Sequence, residues 1–442
     1  MSMLAAGGPP PVEDVSSDIY HDPRTWETER RQIFRPGWNY LAHESEIPRP
    51  GDFVVRYILD DSILLARGKD GVVRAFLNVC RHRAMQVCRA EMGSGTKFTC
   101  PYHGWSYDLD GKLASLPLER PYFSRTGVDR TALGLEPLAR LQSWDGFFFG
   151  SLSRSGADLA DYLGDFTWYL AIHSRRDPAG LEVLGPPQRW IMRGNWKIGA
   201  ENFAGDSYHA QYTHRSVMEI GLHPNKPKDF QSRGSREGIN IAAGPGTFRL
   251  ARQSAAERGY PAEMVSAFAR DLPAPQRDLL FGGEQPLWPT GAHLFPNMSF
   301  LNVGAYIGPG HLAPFLNVRL WRPLGPGETE IWSWVLAERS ASEAFKRDSV
   351  RSYVLTFGTT GTEEQDDVEN FTQMQRGLAG ESARGIPQRL IMGKGLTPQE
   401  LALDGFGGPG EVVATTYTDF GVQRFHQLWA RATGQTVPEA AS

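Results

Sequence analysis

Cys80-Arg81-His82, then seventeen residues, then Cys100-Pro101-Tyr102-His103 is the stretch from which the rest of the chain is read. Two thiols and two imidazoles at this spacing can close around one small metal centre. One reading is a tetrahedral zinc that takes all four side chains and only holds the fold together. The other is a [2Fe–2S] cluster, with two thiolates on one iron and two neutral imidazoles on the other. Each loop supplies one Cys and one His, whereas zinc knuckles more often place a C-x-x-C pair in one loop. The interleaving favours iron–sulfur and leaves zinc open. The remaining cysteine, Cys88, has no partner at a ligand spacing and reads as a small core or loop residue.

The 442 residues suffice for two or three domains and a sizeable core. Hydrophobic residues at 40% and charged residues at 22% are ordinary for a globular protein. Lys and Arg (46) nearly balance Asp and Glu (50), so the charge carries no footprint for nucleic acid or an anionic membrane. No apolar run approaches the roughly eighteen residues of a membrane span. Three cysteines make no disulfide framework, and the expected compartment is the cytosol. Met1 to Val15, with Pro9-Pro10-Pro11, reads as a disordered lead-in without signal-peptide architecture.

Asp22 to Phe34 reads as a helix, with Asp22 as cap, Pro23 at the first helical position and Pro36 as stop. From Trp38 to about Asp145, short strand-like runs alternate with turns. Phe53-Val54-Val55, Ser62 to Leu65 and Val72 to Leu77 are strands, and Asp108-Leu109-Asp110-Gly111 is a hairpin turn. Both halves of the Cys/His motif fall on loops between such strands. Gly146 to Gly150 ends this small β-domain, and Leu159 to Tyr169 is expected as a helix. Further on, Ser299–Val303, Leu316–Trp321 and Glu328–Leu336 read as strands and Ala341–Thr356 as a helix. Antiparallel-type strands with segregated helices indicate an α+β domain.

Two more segments carry possible ligands. Glu201 to His214 holds His209 and His214, about 140° apart on a regular helix, so a loosened or ending helix is needed to aim both at one point. Downstream, Glu363-Glu364-Gln365-Asp366-Asp367-Val368-Glu369-Asn370 reads either as a solvated acidic face near a helix N-terminus or as a source of one carboxylate. Two His and one carboxylate make the facial triad of non-haem Fe(II) oxygenases.

Together the three segments resemble the Rieske non-haem iron aromatic-ring-hydroxylating oxygenases, in particular their catalytic α subunits. The resemblance rests on Cys80-Arg81-His82-Arg83 … Cys100-Pro101-Tyr102-His103-Gly104-Trp105, on the segment around His209 and His214, and on the E-x-D-D-x-x-N stretch Glu364 to Asn370. Family members usually have Gly where Ala84 stands. The fold implied is α+β, a small all-β Rieske domain before a larger antiparallel-sheet-plus-helices catalytic domain of helix-grip type. The expected bounds are 1–37 for the lead-in and a helix packing with the catalytic domain, 38–155 for the Rieske domain, and 156–442 for the catalytic domain.

The resemblance implies one Rieske [2Fe–2S] cluster on Cys80, His82, Cys100 and His103, and one mononuclear Fe(II) on His209, His214 and Asp367, with Asp366 the competing carboxylate. It implies that Asp206 links His209 to His103 of a neighbouring subunit, and that Asn202 lies near the iron. A substrate shell of Phe203, Ser207, Ala210, Leu312, Phe315 and Phe357 follows by the same route. Glu363 stands where some relatives carry a bulky apolar residue, which implies either a more polar substrate or a side chain turned to solvent. Arg319 and Arg322 are candidates for a substrate carboxylate, although the structural reading is favoured. The reaction implied is cis-dihydroxylation of an aromatic ring by O₂, or alternatively monohydroxylation of an aromatic acid. Electrons must come from a ferredoxin or reductase, since the chain has no flavin or nicotinamide fingerprint. The assembly implied is α3β3 with a small β-subunit, or an α3 trimer.

Overall fold

The computed structural model describes residues 12–224, 238–283, 285–403 and 405–434. The Met1–Pro11 part of the expected lead-in lies outside the described residues. The chain divides into two compact units, Phe34–Leu159 and Met1–Ile33 with Ala160–Ser442.

The first unit is built of short antiparallel strands. Asp52–Ile58, Asp61–Arg67, Val73–Leu77 and Met92–Ser94 form one sheet, and Lys97–Thr99, Ser106–Asp108 and Leu113–Ser115 a second. Arg140–Trp144, Phe147–Ser151 and Asn39–His43 form a third. Alternation sends Leu64, Ala66 and Phe76 into a core that also takes up Cys80, Cys88, Cys100, Tyr107 and Leu113. Cys88 is thus a core residue.

The second unit is organised on a nine-stranded antiparallel sheet. Met298–Gly308, His311–Gly325 and Glu328–Glu338 are its long central strands, each longer than the sequence pattern suggests. They run on through polar residues because those residues find partners inside. Arg319 pairs with Glu364, Arg322 with Glu330 at 2.5 Å, and Asn317 donates to Ser333 Oγ at 2.8 Å. The expected helix Leu159–Tyr169 is two helices, Leu159–Leu163 and Phe166–Ser174, broken at Gly164 where φ is +47°. Asp14–Val15, read as part of a disordered lead-in, is instead a strand paired with Gln388–Arg389. The hydrogen bonds of an edge strand there outweigh the lack of a sequence pattern. Among the described residues, no helix is long and apolar enough to cross a membrane.

The helix Trp196–Gly205 is capped by Asn195, whose side chain accepts from the Lys197 N–H, and every one of its residues is buried. It is held from the N-terminal side by Glu29, itself buried on helix Pro23–Glu29. Glu29 accepts from Lys197 Nζ (2.6 Å), Trp429 Nε1 (2.7 Å) and Trp196 Nε1 (2.9 Å). Three donors compensate the desolvated carboxylate, so loss of Glu29 would leave Lys197 as an uncompensated buried charge. This network fixes the helix whose C-terminal end carries Asn202, Phe203 and Asp206.

Candidate metal centres and the cavity beside the second

The two Cys/His loops are copies of one backbone design. In the first, Ala84 N–H donates to the Cys80 carbonyl (3.0 Å) and Cys80 N–H to the Met85 carbonyl (2.8 Å). In the second, Gly104 and Trp105 play the same parts with Cys100, at the same two distances. The closing residue takes positive φ in both, +57° at Ala84 and +72° at Gly104. The design turns both thiols inward and both imidazoles outward. Cys80 and Cys100 are buried, His82 is exposed, and the two Nδ1 atoms lie 3.1 Å apart. The Tyr107 hydroxyl accepts from Arg81 N–H (3.1 Å) and lies 3.3 Å from Cys80 Sγ. Burial raises the Tyr107 pKa, which keeps its proton available to the sulfur. Sequence reasoning missed Tyr107, whose only signal is its place in the strand pairing with Phe98.

In the second unit, among the described residues, one group of His, Cys, Asp and Glu atoms meets at a single point. His209, His214 and Asp367 offer ligand atoms within 4.8 Å of one another. The helix breaks where the pair of histidines needs it to. Ala210–Thr213 is a single turn after His209, and His214 ends it and starts Arg215–Glu219. His209 Nε2 and His214 Nε2 lie 3.6 and 3.3 Å from Asp367 Oδ1. That oxygen is buried and accepts no hydrogen bond among the described residues, which fits a carboxylate whose partner is a metal.

The opposite ring nitrogens are held from behind. His209 Nδ1–H donates to the Asp206 carbonyl, with the Asn202 amide 3.3 Å from the same nitrogen and Asp206 Oδ1 at 3.5 Å. Such partners orient a ligating imidazole and fix its tautomer. Asp366 faces His214 Nδ1 at 3.5 Å, behind the ring, so of the two adjacent carboxylates Asp367 is the one on the ligand side. Burial lowers the His214 pKa, but the Asp367 carboxylate outweighs it and brings the value up to about 9. The acidic run is therefore not a solvated face. Glu363, Glu364 and Asp367 are all buried in the first turns of helix Thr362–Ala379.

Beside the triad lies a cavity of about 160 Å³. Asn202, Phe203, Ser207, Ala210, Phe357 and Glu363 line it. Leu312 and Phe315 do not. Phe315 sits behind Phe357, with ring centroids 6.2 Å apart. Leu312 has the opposite parity on the same strand and packs near Gly259, away from the cavity. Leu301, Val303 and Arg249 take part in the lining instead. The period-two pattern of Ser299–Val303 implies that 301 and 303 share a face, but not which face. Glu363 is buried against the cavity, not turned to solvent, and burial pushes its carboxyl up to about 7. Arg319 is fully buried, ion-paired with Glu364 and bonded to the Phe357 carbonyl (2.9 Å), so its role is structural.

Residues 37–137 match the family model of the Rieske [2Fe-2S] domain, and residues 167–435 that of the ring hydroxylating alpha subunit (catalytic domain). The chain belongs to the ring-hydroxylating α subunits. It is 34% identical to the N,N-dimethyl phenylurea N-demethylase subunit alpha of Sphingobium sp. (strain YBL2), over 94% of this chain and 91% of that protein. It is also 34% identical to the biphenyl dioxygenase subunit alpha of Paraburkholderia xenovorans (strain LB400), over 85% and 82%. A naphthalene 1,2-dioxygenase from Rhodococcus sp., bound to indole, superposes with a TM-score of 0.85 at 37% identity, covering 95% and 94% of the two chains. This α subunit is thus an oxidoreductase of the ring-hydroxylating dioxygenases, a family with one Rieske cluster and one mononuclear iron per chain.

Proposed function

We propose that this chain cis-dihydroxylates a single aromatic ring, and that His209, His214 and Asp367 hold the iron beside which the ring binds. The observation that carries the reading is the triad opening directly onto the cavity. A void of about 150 Å³ holds benzene, so the 160 Å³ beside the triad is on the scale of one ring. Bound iron supplies O₂ activation, and the bound cluster supplies electrons one at a time from a potential of roughly −150 to +300 mV. The chain's residues do the rest. Phe203, Phe357, Leu301 and Val303 offer apolar contacts to a flat ligand, and the Asp206 carbonyl holds His209 from behind.

Cys80, His82, Cys100 and His103 are proposed as the cluster ligands, and Asp206 as the contact to His103 of a neighbouring subunit. Among the described residues its buried Oδ1 accepts no hydrogen bond, the nearest donor being His209 Nδ1 at 3.5 Å. The assembly proposed is α3β3, with α3 as the alternative, fed by a ferredoxin or reductase. Cys88, the one cysteine outside the proposed ligand set, forms no disulfide, which suits the cytosol as the compartment.

Turnover of benzene-ring substrates under ¹⁸O₂ with a surrogate reductase tests the reaction. Two labelled oxygens in the product support dihydroxylation. One labelled oxygen, or formaldehyde from an N-methyl substrate, points to the monooxygenase reading or to N-demethylation as in the phenylurea relative's name.

A further inference from the structure

The first turns of helix Thr362–Ala379 carry the run Glu363-Glu364-Gln365-Asp366-Asp367, and all but one of its carboxylates have a partner or a place. Glu364 pairs with buried Arg319 and accepts from Trp190 Nε1 (3.1 Å). Asp366 stands behind His214, 3.5 Å from Nδ1, and Asp367 faces Nε2 of both histidines at 3.6 and 3.3 Å. Glu363 is left over. It is 5% exposed, lines the cavity, and makes no hydrogen bond or ion pair among the described residues. Arg249 lines the cavity as well, but the charge it feels is that of Asp206.

A buried carboxyl without a donor is costly. Water supplies one while the cavity is open, and a ligand that displaces the water must bring its own. The helix sets where that ligand would lie. Glu363 and Asp367 are four residues apart, so they share one face and stand about 6 Å from each other along the axis. Glu363 is not among the groups that converge on the ion site, which are His209, His214 and Asp367. It is therefore one turn away from the triad on the same wall of the cavity, with Phe203 and Phe357 also in the lining.

We propose that Glu363 is a specificity-determining residue of this site, and that its carboxyl accepts a hydrogen bond from an amino or hydroxyl group carried on the aromatic ring. The inference rests on the reading of the cavity as the substrate site. The substrate class is then a monocyclic arylamine or phenol, with its donor at Glu363 and its ring toward His209, His214 and Asp367. A site built around a buried acceptor discriminates against the analogue that lacks the donor, because the acceptor is then left unpaired.

The test compares aniline and phenol with toluene, in which a methyl group of similar size replaces the donor, on the iron-loaded holoenzyme. Anaerobic calorimetry reads binding, and kcat/KM with a surrogate reductase reads turnover. Binding decides, because amino and hydroxyl groups also change the reactivity of the ring. The wild type is expected to bind aniline or phenol about tenfold or more tightly than toluene, against the order that apolar transfer alone would give. In Glu363→Leu the preference should reverse, and in Glu363→Gln, which keeps a carbonyl acceptor, it should be partly retained. A wild type that binds toluene as tightly as either donor-bearing ring overturns the proposal without any variant being needed. So does a Glu363→Leu protein that holds its iron and keeps the donor preference, or one in which all three rings lose alike. Absence of binding by all three rings at full iron loading would instead sink the underlying reading of the cavity.

Discussion

Cys80, His82, Cys100 and His103 stand on two loops of one small β-unit, close in sequence and closed by their own backbone hydrogen bonds. His209 and His214 come from a broken helix, and Asp367 from a helix more than 150 residues downstream. The first set keeps its imidazoles at the surface, where an electron can arrive. The second buries His214 and Asp367 beside a cavity, where a reactive centre is kept from bulk water. A site assembled locally tolerates exposure because its geometry is self-supporting. A site assembled from distant segments depends on the packing around it, here the buried Arg319–Glu364 pair and the Glu29 network.

The largest break separates the centres altogether. Asp367→Ala is expected to leave two irons per chain out of three, keep the Rieske absorption and abolish turnover. Cys100→Ala should do the converse, leaving one iron and a colourless protein, with both read by iron assay and visible spectroscopy. Asp206→Asn asks whether the two centres communicate. Both metals should remain bound while single-turnover oxidation of the cluster slows by about 10–100-fold or more. Unchanged electron transfer in stopped-flow absorbance would remove Asp206 from the route.

Glu363 sharpens the cost of burial at the second centre. Its folded carboxyl titrates at about 7 against an ordinary 4.5, so the folded state binds the extra proton between those values. Stability of the iron-free protein therefore falls as pH rises from about 4.5 to 7, by on the order of 3 kcal/mol. Glu363→Gln should recover that amount at pH 8 and very little at pH 4, measured by urea melts at both pH values.

The smallest effect compares the two cluster loops with each other. Ala84 holds a left-handed conformation that Gly104 adopts freely. Ala84→Gly should stabilise the unit by about 1 kcal/mol, net of the greater freedom of glycine when unfolded. Gly104→Ala should cost more, because its Cβ would also meet Pro117 at 3.0 Å. Thermal melting of the cluster absorption reads both.

The four proposed cluster ligands were legible as a set because loops between strands place residues two or three apart on one side, so spacing alone nearly defines the candidate site. The histidine pair and the acidic run were legible as types and order, and the choice of Asp367 over Asp366 was not. That choice depends on which ring nitrogen of His214 each carboxylate faces. Leu312 and Phe315 were misplaced because a strand's periodicity tells which residues share a face, not which layer another helix puts in front of them. Arg249 passed unnoticed inside Gly246-Thr247-Phe248-Arg249-Leu250-Ala251, though a charge in so apolar a strand is a signal of its own.

By itself, then, the sequence determined two candidate metal-binding constellations, their order along the chain and an α+β architecture around them. Those follow from local spacing and from hydrophobic periodicity. The tertiary structure decided which carboxylate meets the histidines, which arginine is spent on the core and which faces the cavity. Such questions turn on contacts between residues a hundred or more positions apart, and no local pattern encodes them.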